Sequence, residues 1–351
     1  MCVVSGDSIS VAALEGWLAD DAEAALGAFR QSYPVLRQTY PNLPPPGDMP
    51  ARDYFERHFV AERIIGPDDC DTGLFTGYFE PVLRGSRRRH GRFQVPLLKR
   101  PPDLVSLVDD ALRASAGDTL THARRLGDGA VEAYPTRREI EEGCLDGFEL
   151  AFAYLEDAVD AFFLHVQGSG LIELDDGSSA RVSYAAKNGH PYTSLGAELI
   201  RLGEIEAGDM SLARLAEWLR SDAARGREFM WRNASYIFFE ELGAGDVATA
   251  VGVRDIPLTA GRSLAVDARV HPIGSAMFVI APDLADPDRG EAPFARLMVA
   301  QDVGSAIRGA VRGDIFYGTG DDAGALAGET RHHGQLYRLV PRDLEREKSR
   351  S

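Results

Sequence analysis

Cysteine is scarce in this sequence, and the few present fit no framework. Cys2, Cys70 and Cys144 are an odd number without CxxC or disulfide spacing, so they read as free thiols and exclude a disulfide scaffold or a cysteine zinc site. Positive charge is also short: a formal net charge of −16 argues against non-specific nucleic-acid binding, which depends on Lys and Arg neutralising phosphates. No run of about 18 apolar residues occurs, and the opening MCVVSGDSIS lacks a basic stretch followed by an apolar one. Neither a membrane span nor an export signal is therefore visible in the chain as it stands. HExxH, Walker-loop and GxSxG patterns are absent, which removes the zinc-protease, nucleotide-site and serine-hydrolase readings. The eight histidines are scattered, and His332-His333 reads as a surface or structural pair. No metal or organic cofactor is called for.

The 351 residues, 44% of them hydrophobic and 26% charged, suffice for a sizeable core and two domains. Residues 8 to 63 carry helical spacing: Leu14, Trp17 and Leu18 share one face, Ala25 and Phe29 another turn, and Tyr54, Phe55, His58 and Phe59 a third. Pro44, Pro45 and Pro46 mark a connector within them. From Gly73 short apolar and aromatic runs punctuated by Gly and Pro (GLFTGYFEPVLRG, RFQVPLLKRP) predict strands and tight turns. Between them RGSRRRHGR, with Arg84, Arg87, Arg88, Arg89 and Arg92, reads either as a solvated hairpin loop or as a local clamp for an acidic ligand. A capping box from Thr136 to Glu139 opens a helix, LEDAVDAFFLHV predicts another, and Asp176-Gly177 between LIEL and ARVSY predicts a hairpin. Helical periodicity returns over 194 to 243, with Leu212, Leu215, Trp218 and Leu219. SLAVD, AMFVIAP, FARLMVAQD, GDIFYG and GQLYRLV then predict strands from Pro257 to Val340. The chain is thus mainly β with flanking helices.

The stretch Met298 to Gly320, MVAQDVGSAIRGAVRGDIFYGTG, holds the strongest chemical signal. An apolar strand runs into Asp302, a small-residue turn of Gly304, Ser305 and Ala306 follows, and Asp314 lies between Gly313 and the apolar pair Ile315 and Phe316. Carboxylates beside apolar strands are costly unless paired or put to use. A lone Asp in such a place is ordinarily a turn residue satisfying its own backbone. With Asp267 in AVDARVHPIG, three recur in strand-turn contexts, which points to a convergent acidic pocket. A D-T-G loop at Asp71-Thr72-Gly73, with Asp302-Val303-Gly304 as a loose second copy, raises an aspartic-protease dyad, but only one loop is well formed and it runs directly into a strand.

AVDARVHPIGSAMFV and AQDVGSAIRGAVRGDIFYGTG resemble the domain named for its three aspartates. TGYFEPVLRGS, FQVPLL, YPTRREIEEG, HVQGSGLIELDDG, NGHPYTSLG and NASYIFFEE resemble the membrane-bound lytic murein transglycosylase A family, over about residues 70 to 342. The resemblance implies a double-psi β-barrel domain from residues 1–78 and 239–345, interrupted by a smaller inserted β domain over 79–238. A groove for a glycan strand would lie between them, and 346–351 would form a polar tail. It implies cleavage of peptidoglycan between N-acetylmuramic acid and N-acetylglucosamine with a 1,6-anhydromuramoyl product. Asp314 would be general acid and base, its pKa raised by Ile315, Phe316 and the charge of Asp302, with Asp302 and Asp267 as supporting groups. Thr76, Gly77, Tyr78 and Glu80, with Gln167, Gly168 and Ser169, are the expected sugar contacts, for which strand and turn structure is the competing reading. The implied partner is the glycan strand, met by a monomer, with cell-wall synthesis or division proteins as candidate partners. The implied location is the periplasm at the outer membrane. A two-carboxylate peptidoglycan hydrolase and a non-catalytic glycan-binding barrel are the alternatives.

Overall fold

The computed structural model describes residues 4–107, 120–127, 129–243, 249–304 and 306–342. Cys2, Ser305 and the expected tail at 346–351 lie outside the described residues. The strands in chain order are β1 (Val4–Ser10), β2 (Phe59–Ile65), β3 (Gly73–Glu80), β4 (Val82–Ser86), β5 (Val95–Leu98), β6 (Leu104–Ser106), β7 (His122–Arg125), β8 (Val131–Ala133) and β9 (Ala151–Leu155). They continue with β10 (Ser169–Leu174), β11 (Ser179–Lys187), β12 (Ile237–Glu241), β13 (Ser263–Ala265), β14 (Ala276–Ala285), β15 (Pro293–Asp302), β16 (Gly313–Thr319) and β17 (Arg331–Pro341). The chain divides into two compact units, Met1–Phe79 with Thr249–Ser351, and Glu80–Ala248.

In the first unit the order β17-β14-β15-β13-β16-β3 closes on itself through a β3–β17 pairing, giving a six-stranded ring, and β2 and β1 extend the sheet from β17. Closure removes sheet edges that would otherwise expose unpaired backbone. β14 and β15 are buried on both faces. Phe278, Leu297 and Val299 pack outward against Trp17, Phe29, Tyr54 and Phe55, while Met277, Val279, Met298 and Ala300 fill the ring with Phe75, Leu264 and Ile315. This double burial accounts for their near-continuous apolar runs. The helices Ala22–Thr39 and Ala51–His58 supply the outer layer.

The helical reading of residues 8 to 63 therefore holds only in part. Phe59 begins a strand, because FVAERII pairs with both β1 and β17, and tertiary pairing overrides the local spacing. Leu18 is 78% exposed while Leu14 and Trp17 are buried, so the three do not share a face. The helix Asp321–Glu329, with two glycines and three alanines among its nine residues, carries too weak an apolar stripe to read from sequence.

The second unit holds a six-stranded sheet, β12-β11-β10-β4-β9-β5, and a three-stranded one, β6-β7-β8. The Asp-Gly hairpin forms as expected, with Gly177 at φ 85° and β10 paired antiparallel to β11. Both halves of the Thr136–Glu139 capping box are present. The helix Ala158–Gln167 is capped by Asp157 and packs Ala161 and Leu164 on the larger sheet, and Val159 and Phe162 against three further helices. Within the stretch 194 to 243, Ile237–Glu241 is strand and not helix, because it pairs with β11. Arg137, 1% exposed, ties four of the sequence motifs together. It donates to the carbonyls of Asn233 and Ser235, contacts His165 Nδ1 at 3.0 Å, pairs with Glu141 and lies over the Phe162 and Tyr236 rings.

Candidate active site

In the ring, Ala265 on β13 is register partner to Asp302 on β15 and to Asp314 on β16. The two aspartates thus stand in one row, two strands apart, with the smallest available side chain between them. Strand spacing puts their Cα atoms roughly 10 Å apart, close enough for their side chains to converge over Ala265. Alternation sends Ile315 to the ring interior and Phe316 to the same side as Tyr78 and Ala265, so of the two expected apolar neighbours only Phe316 shares the face of Asp314.

β3 lies beside β16 and contributes Thr76 and Tyr78, two residues apart and so on one face. The Thr76 hydroxyl donates to Asp314 Oδ1, and the Tyr78 hydroxyl donates to Asp302 Oδ2 at 2.9 Å. Tyr78 is buried, its ring 5.2 Å from that of Phe316. Asp302 Oδ1 also accepts from the Val303 N–H at 2.9 Å. Both oxygens of Asp302 are therefore taken, whereas Asp314 Oδ2 accepts no hydrogen bond from the described residues. Both residues keep some solvent-accessible surface although protein surrounds their carboxyls.

Burial raises both carboxyls. Asp302 is pushed up to about 6 by desolvation and by the charge of Asp314, against the Val303 N–H and Tyr78 hydroxyl that favour its ionised form. Asp314 is raised by desolvation, against the Thr76 hydrogen bond and the positive charge of Arg312. Arg312 is the residue that sequence reasoning passed over. Its Nη2 donates to Thr76 Oγ1 at 2.7 Å and its Nη1 to the carbonyls of Leu74, at 3.2 Å, and Gly313. The available signal was a lone arginine two positions before Asp314 at the mouth of an apolar strand.

The remaining expected residues fall elsewhere. Gly77 faces the ring side, where an added Cβ would lie 2.7 Å from both Ala327 Cα and Tyr317 Cε2, so close packing accounts for the glycine. Asp267 is buried, its oxygens held by Arg269 at 2.6 and 2.9 Å and by the Gly309 N–H at 3.0 Å; those bonds hold its pKa well below the usual carboxylate range. It makes no hydrogen bond or ion pair with Asp302, Asp314, Thr76 or Tyr78, so its place is a clamp on the 267–271 and 309 turns and not the pair itself. Glu80 is fully buried and ion-paired to Arg181 at 2.7 and 3.0 Å within the second unit. Gln167 ends the helix Ala158–Gln167, Gly168 caps it at φ 82°, and Ser169 starts β10, also in the second unit.

Two of the five arginines of the basic loop are ion-paired, Arg87 with Glu241 and Arg92 with Glu156, and Arg89 donates to Gln94. Asp71 of the D-T-G loop is paired with Arg63 at 2.5 Å and half exposed, unlike a proton-sharing dyad member.

The model described as the MltA specific insert domain matches residues 74–240, and that of the 3D domain matches residues 262–340. Membrane-bound lytic murein transglycosylase A of Escherichia coli (strain K12) is 34% identical over 282 residues, 80% of this chain and 68% of that protein. The crystal structure of a membrane-bound lytic murein transglycosylase from Agrobacterium tumefaciens superposes with a TM-score of 0.87 at 34% identity, covering 97% of this chain and 99% of the other. That of Escherichia coli MltA with bound chitohexaose gives 0.72 at 29% identity, covering 97% and 93%. The expected architecture, mainly β with a barrel and an inserted second domain, stands. The chain belongs to the membrane-bound lytic murein transglycosylase A family.

Proposed function

We propose that this protein is a peptidoglycan lytic transglycosylase in which Asp314 alone serves as acid and base. The observation that carries the single-acid reading is the unequal engagement of the two carboxyls. Asp302 has both oxygens occupied by protein donors, while Asp314 has one oxygen free of them. A nucleophile or base needs a lone pair facing substrate; each oxygen of Asp302 is already engaged by a protein donor, which weakens it as a base, whereas Oδ2 of Asp314 is engaged by none among the described residues.

In the proposed reaction the protonated Asp314 donates to the oxygen linking N-acetylmuramic acid C1 to N-acetylglucosamine C4, and the C1–O bond breaks. The muramyl 6-hydroxyl attacks C1 from within the same sugar, and its proton passes to the Asp314 carboxylate, restoring the acid. No water is consumed. Most glycoside cleavage recruits a second carboxylate, but an internal hydroxyl supplies its own effective concentration. Burial keeps a proton on Asp314 nearer neutrality, and Thr76 stabilises the anion left after donation. General acid–base catalysis is worth on the order of 10² to 10⁴, so glycan binding must supply the rest. Tyr78, on the face of Asp314, is the proposed glycan contact beside the acid, Thr76 being engaged by Asp314 and Arg312. The oligosaccharide bound to Escherichia coli MltA supports a glycan ligand.

Among the described residues no helix is long and apolar enough to cross a membrane. The substrate and the relatives' designation as membrane-bound support work in the periplasm at the outer membrane. Mass spectrometry of muropeptides released from purified sacculi tests the reaction. Anhydromuramoyl products are expected, and products one water heavier with reducing ends would replace transglycosylation by hydrolysis.

A further inference from the structure

We propose that Arg312 is a positioning residue: by donating to Thr76 Oγ1 it fixes the direction of the Thr76 hydroxyl, so that the exchangeable proton of Asp314 resides on Oδ2. The inference rests on Asp314 being the acid and base.

A guanidinium only donates, whereas a threonine hydroxyl has one hydrogen and two lone pairs. With Arg312 Nη2 at 2.7 Å on one lone pair, the hydroxyl is polarised toward donation, and Asp314 Oδ1 is its acceptor. Any other rotation leaves the hydroxyl hydrogen without an acceptor among the described residues. A proton on Oδ1 would face that hydrogen, so it is placed on Oδ2, the oxygen with no protein donor. Arg312 is itself pinned by the carbonyls of Leu74, on the strand carrying Thr76, and of Gly313, beside Asp314. No carboxylate among the described residues forms an ion pair with it; its charge bears on Asp314 across space, and its hydrogen bond bears on Asp314 through Thr76. Among the described residues, the other titratable groups coupled to Asp314 are Asp302 from β15 and Tyr78 from β3, which face it, and Tyr317, on the opposite face of β16. All three remain in the variants below.

The test measures initial rates on sacculi across pH for Arg312→Gln, Arg312→Lys, Thr76→Val and the Arg312→Gln/Thr76→Val pair, each checked by thermal melting. Arg312→Gln and Thr76→Val are each expected to lose about tenfold in kcat with KM little changed, and the double variant well short of the product of the two losses, because both act on one hydroxyl. In each the basic limb of the pH profile moves upward, since a group favouring the Asp314 anion is gone. Arg312→Lys, which still only donates, is expected within about threefold of the parent. Losses that multiply in the double variant, or a pH limb unmoved in both singles, overturn the proposal. If Arg312→Gln does not fold, the isosteric Thr76→Val decides alone by its pH limb. Activity surviving in Asp314→Asn would instead bring down the reading beneath it.

Discussion

Asp302 and Asp314 stand in one row of the barrel, each in register with Ala265 from opposite sides, yet their hydrogen bonds make them unlike. Asp302 is held from two directions and Asp314 from one. A symmetric pair of carboxylates becomes a proton carrier and an electrostatic neighbour.

The raised pKa of Asp302 has a cost in stability. Its folded value, about 6, lies above the ordinary value of 3.8, so the folded state binds more protons between those values and stability falls as pH rises from about 4 to about 6. The full shift corresponds to at most about 3 kcal/mol, reduced by the solvent the residue retains. Asp302→Asn is expected to raise the melting temperature at neutral pH and to gain little at pH near 4. Equal gains at both would contradict the assignment.

Tyr78→Phe removes one donor from Asp302 while leaving the ring on Phe316. The Asp302 pKa is expected to rise further, as followed by carboxyl ¹³C shifts, with a stability change of about 1–3 kcal/mol at neutral pH. An unmoved Asp302 titration would show that the hydroxyl is not its partner.

Asp267 is predicted to be structural. Its depressed pKa contributes stability that is present above the ordinary carboxylate range and lost as pH falls through the folded value. Asp267→Asn is expected to lower the melting temperature at neutral pH, with the difference from the parent narrowing in acid, while folded protein keeps its KM for sacculi. A raised KM without loss of stability would return Asp267 to the glycan contacts.

Glu80 makes a parallel case, because its removal takes a buried carboxylate away from Arg181. Glu80→Ala is expected to cost about 3–5 kcal/mol in a denaturant titration. Unchanged stability with weakened glycan binding would reverse this reading.

The strands from Ser263 to Pro341 were legible because apolar runs end at Gly, Asp or Pro, and the two aspartates were legible because each ends or opens such a run. The closure of the ring by β3 on β17 was not, since Thr76 and Arg331 are partners that no local pattern relates. β2 and β12 were hidden for a related reason: β2 follows the helix Ala51–His58 without a break, β12 comes soon after the helix Ala223–Met230, and pairing with other strands makes them extended. Arg312 could be seen but not interpreted, because its role depends on Thr76, which arrives from the opposite end of the chain. Burial of Glu80 and Asp267 among arginines likewise separates clamps from contacts only once partners are known.

The central claim is that a single carboxyl carries the proton both ways. The direct measurement is muropeptide release from sacculi by Asp314→Asn, with glycan binding and melting temperature measured on the same preparation. The account predicts no anhydromuramoyl product, with binding retained and a fold at least as stable as the parent's. Substantial anhydromuramoyl release by a folded Asp314→Asn protein would contradict it and move the acid to Asp302.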